Sequence, residues 1–318
     1  MPHEFRTHDL LLPAAPNGLR FDRALARALP QYSRARLKSW IDAGQVLLEG
    51  TVPSARAKVF GGERVRIEAV IESAVSVEPE SLALEVIHED SALLVINKPA
   101  GMVVHPGAGN AAHTLQNALL SFDPALATVP RAGIVHRIDK DTSGLLVVAR
   151  TIESQAVLAR AIAAHEVERK YLGVCVGVIT AGRTIDEPIG RHRVQRTRMA
   201  VRPGGREALT DIRVLKRFGG HTLVRAELHT GRTHQIRVHL AHIGHPLVGD
   251  PVYGGRPRLP RGASASLIGV LRDFRRQALH AEQLKLEHPS TGKTLEWTAP
   301  APRDLRELIA ALEAEGAA

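Results

Sequence analysis

Residues 136–150 read HRIDKDTSGLLVVAR, a charged turn running straight into the five apolar residues Leu145 to Ala149. An apolar run that short, opened by Gly144 and closed by Arg150, suits a buried strand better than a helix or a metal loop. DKDTSG nevertheless starts like a calcium loop, with Asp139, Asp141 and Ser143 two apart and Gly144 sixth. Such a loop needs a bidentate Glu at its twelfth position, and here that position is Arg150, a cation. Calcium is excluded. What remains is an aspartate between Arg137 and Lys140 at the edge of an apolar strand, where a carboxylate is costly to bury unless paired. Asp139 either caps the turn, as Asp before Thr-Ser-Gly often does, or is kept for chemistry. Asp141, next to the turn, is the better cap.

The chain has 318 residues, enough for one large domain and a small one, and 44% of them are hydrophobic, enough for a proper core. Lys and Arg number 42 against 33 Asp and Glu, a net charge of +9 that points to a polyanionic partner, nucleic acid before membrane. The excess is concentrated. Residues 17–68 hold ten Arg or Lys against five acids. Periodicity there predicts two short helices, FDRALARALP and SRARLKSWIDAG, with Ser33 as N-cap and Gly44 as stop. Leu37, Trp40 and Ile41 form an apolar face, with Arg34, Arg36 and Lys38 on or beside the opposite one. A small hairpin through VLLEG and GGERVRIEA follows, and the whole favours RNA binding over a merely solvated face. The single Cys175 lies in an apolar run and fits a reducing cytoplasm, and the N-terminus has no signal-peptide core. No stretch approaches a membrane span.

Residues 71–83 lose the pattern, turn mildly acidic and read as a linker. From 84 onward strands dominate: LEVIHED and ALLVINKP pair about a turn, and helices are expected in TLQNALLSF, ESQAVLARAIAAHE, THQIRVHLAHIG and PRDLRELIAALEAEG. Strands alternate with charged turns over 184–230, and the basic stretch RPRLPRGASA has no clear pattern, reading as a mobile loop or a further phosphate contact. Mixed elements without regular βαβ alternation indicate an α+β fold.

Two further segments could carry chemistry. Tyr171 in RKYLGV enters a strand, where it is either a core residue or a platform for a stacked base. HTGRTHQIRVHLAHIGHPLVGDPVYG is dense in histidines, but it lacks the HExxH carboxylate and has no nearby Cys, so no metal is expected. Its Arg237 lies one helical turn from Thr233 and His234, placed to reach into a cleft and hold a carboxylate bidentately. There is no Walker loop, no GxSxG elbow and no GxGxxG after a strand, and one cysteine cannot build a zinc deaminase site.

Together, NKPAGMVVHPG, HRIDKDTSGLLVVAR, RKYLGV and TGRTHQIRVHLAHIGHPLVGDPVYG resemble, in order, the signature segments of the RluA-type pseudouridine synthases. Residues 17–70 resemble an S4 RNA-binding module through YSRARLK and GGERVRI. The likeness implies a pseudouridine synthase fold over 84–318, with a mixed, mostly antiparallel sheet, joined to a small α+β S4 domain. It implies catalytic roles for Asp139 as nucleophile on C6 or C1′, Tyr171 packed on the target uracil, and Arg237 paired with the aspartate. RNA contacts would come from Arg137, His136, Arg232 and His234 at the cleft, and from Arg34, Arg36 and Lys38 in the S4 module. Ile138 stands where the family usually has Leu, a swap that keeps bulk and apolarity. PQYSRARLKSW and AGIVHRIDKDTSG are most similar to members that modify the helix-69 hairpin loop of 23S rRNA. The implied protein is a cytoplasmic monomer using no cofactor and no metal, with 23S ribosomal RNA, free or in the assembling large subunit, as partner.

Overall fold

The computed structural model describes residues 4–316 except 31, 33, 72–76, 108, 196, 256–257 and 261. Ser33, the expected N-cap, lies outside the described residues, as do 72–76 of the expected linker and 256, 257 and 261 of the basic stretch. The chain divides into two compact units, 1–76 and 77–318.

The first unit runs β1 (Glu4–Leu11), β2 (Leu19–Arg20), α1 (Phe21–Ala28), α2 (Arg34–Asp42), β3 (Val46–Leu48), β4 (Lys58–Val59) and β5 (Arg64–Ile71). Strands β1, β5 and β3 form one antiparallel sheet, and β2 pairs with β4. Its core gathers Phe21 and Leu25 of α1 with Leu37, Trp40 and Ile41 of α2 against Val65 and Ile67 of β5. Gly44 ends the second helical segment with φ of 73°, a left-handed stop that glycine takes without strain. This unit begins earlier than residue 17, because β1 pairs with β5 along its whole length, from Glu4 opposite Ile71 to Leu11 opposite Arg64. The supposed linker also shrinks. Ile71 ends β5, and beyond the undescribed residues Glu80 N–H donates to the Asn117 carbonyl at 3.0 Å while Asn117 Nδ2 donates to the Glu78 carbonyl at 2.7 Å.

The second unit opens with the hairpin β6 (Glu85–Glu89) and β7 (Leu93–Lys98), followed by α3 (Leu115–Phe122), β8 (Ser143–Ala149), α4 (Ile152–Ala163) and β9 (Glu168–Val176). Next come β10 (Arg183–Asp186), β11 (Ile189–Arg191), β12 (Met199–Val201), β13 (Leu209–Arg217), β14 (His221–Leu228) and α5 (Gln235–His242). The chain ends with α6 (Ala265–Asp273), β15 (Leu279–Glu287), β16 (Thr294–Thr298) and α7 (Arg303–Gly316). A nine-stranded sheet runs in the order β10-β13-β14-β9-β15-β8-β7-β6, with β16 on β15. Every pairing in it is antiparallel except β15 with β8, which gives the mixed, mostly antiparallel sheet expected.

The apolar run in β8 has a simple cause. All seven of its residues are buried, with Leu146 and Val148 facing the core beneath α3 and α5 while Leu145, Val147 and Ala149 face the core beneath α4. Covered on both faces, the strand shows no polar alternation. Two helices differ from expectation. Residues 265–273, which begin at the last residue of the unpatterned basic stretch, form α6, capped by Ser264 Oγ accepting from Leu267 N–H at 3.2 Å. The terminal helix, read from its sequence as a surface helix, is partly buried, because Leu305, Leu308 and Leu312 pack with Leu267 and Leu271 of α6 into a core on β9.

Gly144 sits at the parallel seam, opposite Ala281, with φ of 115°. A Cβ there would lie 2.3 Å from the Ala281 carbonyl oxygen, so neither conformation nor space admits a side chain. Gly144→Ala should cost about 3 kcal/mol or more, from backbone strain plus overpacking. Thermal unfolding should register this as a fall in Tm of roughly 6 °C or more, and an unchanged Tm would contradict the seam described.

Candidate active site

Asp139 ends the chain's approach to β8, where its carbonyl accepts the Thr142 N–H at 3.1 Å and so closes a turn over Lys140 and Asp141. Each carbonyl of that turn is held. Lys98, at the end of β7 in NKPAG, donates to the Lys140 carbonyl at 3.0 Å and also to those of Pro99 and Met102 at 2.7 and 2.8 Å. Gly101 N–H donates to the same Lys140 carbonyl, and Arg276 Nη1 reaches the Asp141 carbonyl at 3.2 Å. Burial pushes the Lys98 amine down to about 7, against the pull of the Asp141 and Asp139 carboxylates. Its three carbonyl acceptors use all three ammonium protons, which favours the charged form. Asp141 thus enters the site through its backbone. Arg276, which follows the basic stretch in sequence, is a structural clamp tied to Asp304 at 2.6 Å.

Opposite this turn stands α5. Arg237, 5% exposed at its side chain, donates from Nη1 to Asp139 Oδ2 at 2.9 Å. Its other two edges are taken by Asp250, Nε to Oδ2 at 2.7 Å and Nη2 to Oδ1 at 2.9 Å. The bidentate carboxylate expected for Arg237 is therefore Asp250, and Asp139 receives the remaining single bond. Asp250 is fully buried and also accepts the N–H groups of Val252 and Tyr253, so these donors and Arg237 hold its carboxyl below the usual range against the cost of burial. Sequence reasoning missed it, although GDPVYG lies in the same segment as Arg237. An orphan arginine in need of a carboxylate was the available signal.

A pocket of about 420 Å³ opens beside Asp139, lined by Tyr171 from β9 and by His234 and Arg237 of the α5 segment. Tyr171 packs in the main core, one of the two readings its sequence allowed, and it also lines the pocket. Burial raises its phenol above the ordinary value, Asp139 adding to the rise and Arg169 opposing it. His136 lies in the same wall with its Nε2 accepting the Val147 N–H at 3.1 Å. Arg137 is exposed at the rim, and Arg232 donates from Nε to the Glu207 carbonyl at 2.8 Å. His234, left-handed at φ of 58°, bonds Tyr253 Oη through Nδ1 at 2.8 Å and brings Nε2 to 3.9 Å from Asp139.

The histidines of this segment serve separate ends. His239 bonds Thr210 and the Glu187 carbonyl, His245 bonds the Val176 carbonyl, and among the described residues no cluster of three or more His, Cys, Asp or Glu could hold a metal. In the other unit, Arg34 shares the buried Asp22 with Arg20 and Lys38 pairs with Asp42, while Arg36 lies between them on α2. Part of that unit's positive charge is thus spent on tying α1 to α2.

A family model described as RNA pseudouridylate synthase matches residues 92–242, a span that contains Asp139, Tyr171 and Arg237. The chain belongs to this family and is an RNA pseudouridine synthase, an isomerase. It is 53% identical over 299 residues to the ribosomal large subunit pseudouridine synthase D of Escherichia coli (strain K12), covering 94% of this chain and 92% of that one. With the protein of the same name from Xanthomonas campestris it shares 49% over 316 residues, 99% and 96% of the two chains. Among solved structures it is similar to human RNA pseudouridylate synthase domain containing 4, at a TM-score of 0.57 and 26% identity over 72% of this chain and 93% of that one.

Two outcomes follow from the charges. Asp250→Ala leaves Arg237 with one acceptor in a buried site and should cost about 3–5 kcal/mol in urea unfolding. Adding Arg237→Met should cost much less than Arg237→Met alone, because the orphaned charge is gone. Burial, reinforced by Arg169, pushes the His136 imidazole down to about 3, while the unfolded chain protonates near 6.5. The unfolded state therefore takes the proton first, and this contribution to stability, whole above pH 6.5, is lost as pH falls toward 3, by up to about 1.4 kcal/mol per pH unit. Nitrogen NMR should show His136 still neutral at pH 5, and an imidazolium signal there would contradict this environment.

Proposed function

We propose that this isomerase acts on uridines of large-subunit ribosomal RNA, in the helix-69 hairpin loop of 23S rRNA, with Asp139 as its nucleophile. The substrate rests on the half-identical relatives, whose names specify the ribosomal large subunit, and the hairpin on the likeness of PQYSRARLKSW and AGIVHRIDKDTSG. One observation carries the chemistry: the Asp139 carboxylate stands at a pocket, fixed through one oxygen by a guanidinium that is itself locked by Asp250.

A uridine flipped into this pocket meets Tyr171, whose raised phenol keeps its proton at neutral pH and so acts first as a packing surface for the base. Asp139 attacks C6 of the uracil or C1′ of the ribose. The glycosidic bond breaks, the base turns, and C5 joins C1′. Arg237 aims the carboxylate, and a lysine could not serve two carboxylates in the same planar geometry. Arg137, His136, Arg232 and His234 contact the RNA around the flipped nucleotide. The N-terminal unit acts as an S4-type RNA-binding module through Arg34, Arg36 and Lys38, adding phosphate contacts whose affinity falls with salt. The isomerisation needs no group donor, and the enzyme works in the cytoplasm as a monomer on naked rRNA or on an assembling subunit.

Purified protein with 23S rRNA from a strain lacking it should create new carbodiimide-dependent primer-extension stops in the helix-69 loop. Asp139→Ala should bind the same RNA and create none. Stops elsewhere would move the substrate assignment. An active Asp139→Ala enzyme would remove the nucleophile, and binding without stops would mean a non-catalytic RNA-binding factor.

A further inference from the structure

The pocket contains a second buried cation besides Arg237. Arg169 lies two residues before Tyr171 on β9, so the two side chains project from the same face of the central strand. It is only 6% exposed, forms part of the pocket wall, and its Nε has no hydrogen-bond partner. Among the described residues no carboxylate pairs with its guanidinium. The contrast with Arg237, which has two carboxylates, is sharp, because desolvating a cation without an anion is strongly unfavourable.

Several features show that the position is built. Strand β9 is paired on both sides, with β14 and β15, so Arg169 stands on rigid backbone. Across from it is Gly231, where a Cβ would meet Arg169 Nη1 at 3.1 Å, so the absence of a side chain there leaves room for the guanidinium. Its charge is felt locally, since it opposes protonation of His136 and favours ionisation of the Tyr171 phenol. A guanidinium held this way, beside the tyrosine that meets the base, is preorganised for negative charge that arrives only with the substrate.

The reaction supplies such a charge by either route. If Asp139 displaces the base at C1′, the C1′–N1 bond breaks, its electron pair stays on N1 and spreads onto O2 and O4. If Asp139 adds to C6, the pair of the C5–C6 double bond spreads onto O4. Either way the ring carries one negative charge until C5 bonds to C1′. On the first route that bond displaces Asp139 from C1′, after which C5 gives up its proton to a base and N1 takes one up. On the second N1 takes a proton as the C1′–N1 bond breaks, and Asp139 leaves C6 as C5 gives up its proton and the C5–C6 double bond re-forms, so atoms and electrons balance without a co-reactant. We propose that Arg169 is a further catalytic residue, whose guanidinium binds a ring carbonyl oxygen of the target uracil and stabilises this anionic ring. The inference rests on the isomerisation reading above but is independent of which carbon Asp139 attacks.

The test is single-turnover conversion of the helix-69 hairpin RNA by full-length wild type, Arg169→Met and Arg169→Lys, with RNA affinity measured across a salt series. Arg169→Met should be slowed about 100- to 1,000-fold at saturating enzyme, as when an oxyanion donor is removed. Its affinity and salt slope should stay within about twofold of wild type, because the charge it meets is absent from bound substrate. Arg169→Lys should recover about tenfold over Met, short of wild type for lack of the planar fork. A saturating rate equal to wild type, with weaker affinity and a salt slope lower by about one, would make Arg169 a phosphate contact and overturn the proposal. Should the methionine variant fail to fold, the lysine variant decides: a saturating rate equal to wild type overturns the proposal, and about a tenfold loss at unchanged affinity supports it. Wild type and Asp139→Ala in the same assay report separately on the reaction itself.

Discussion

Strand β8 lies parallel to β15 over two residue pairs, Ser143 with His280 and Gly144 with Ala281, and that short seam joins the two halves of the large sheet. Only a glycine fits, because the Ala281 backbone occupies the space of a side chain. Ser143 Oγ bonds His280 Nδ1 at 2.9 Å, and Gln277 Nε2 donates to Thr142 Oγ1 at 3.1 Å, so the seam is stitched by side chains as well. The turn that carries Asp139 is the direct extension of this seam. Its position is therefore set by the sheet and by the Lys98 and Arg276 clamps.

The chemistry of the site follows from burying charge in an ordered chain. Asp250, Arg237 and Asp139 alternate in sign, and the inner pair is bidentate while the outer bond is single. Such an arrangement contributes little net stability, since desolvation consumes most of the Coulombic gain, but it fixes orientation. Asp139 keeps one oxygen engaged, and its side chain, which borders the pocket, is 17% exposed. Arg169 is left outside this chain, which is why its uncompensated charge stands out.

Much of this was legible along the chain, for identifiable reasons. The hairpin of β6 and β7, the buried β8 and the helices α1 to α5 are announced by short-range patterns, and those patterns matched local structure because packing confirmed them. The strand at the N-terminus was not legible, since its sequence, EFRTHDLL, alternates weakly and gains its identity only by lying beside β5. Helix α6 was hidden in a basic region whose turn residues, Pro260 and Gly262, mask the apolar Leu267 and Leu271 that face α7. In the site, Asp139, Tyr171 and Arg237 were found through motifs, whereas Asp250 and Lys98 were not, because their roles consist entirely of contacts with distant backbone or side chains.

By itself the sequence determined a basic α+β chain with an aspartate, a tyrosine and an arginine in separate signature segments, because residue type and short-range periodicity are local properties. Tertiary structure alone decided that Asp250 takes the two strong bonds of Arg237, that Lys98 clamps the aspartate turn, and that Arg169 lines the pocket with no counter-ion among the described residues. Each depends on which strands neighbour one another in the sheet, and that is settled by burial and steric fit over the whole unit, above all at Gly144, and not by any stretch of residues read alone.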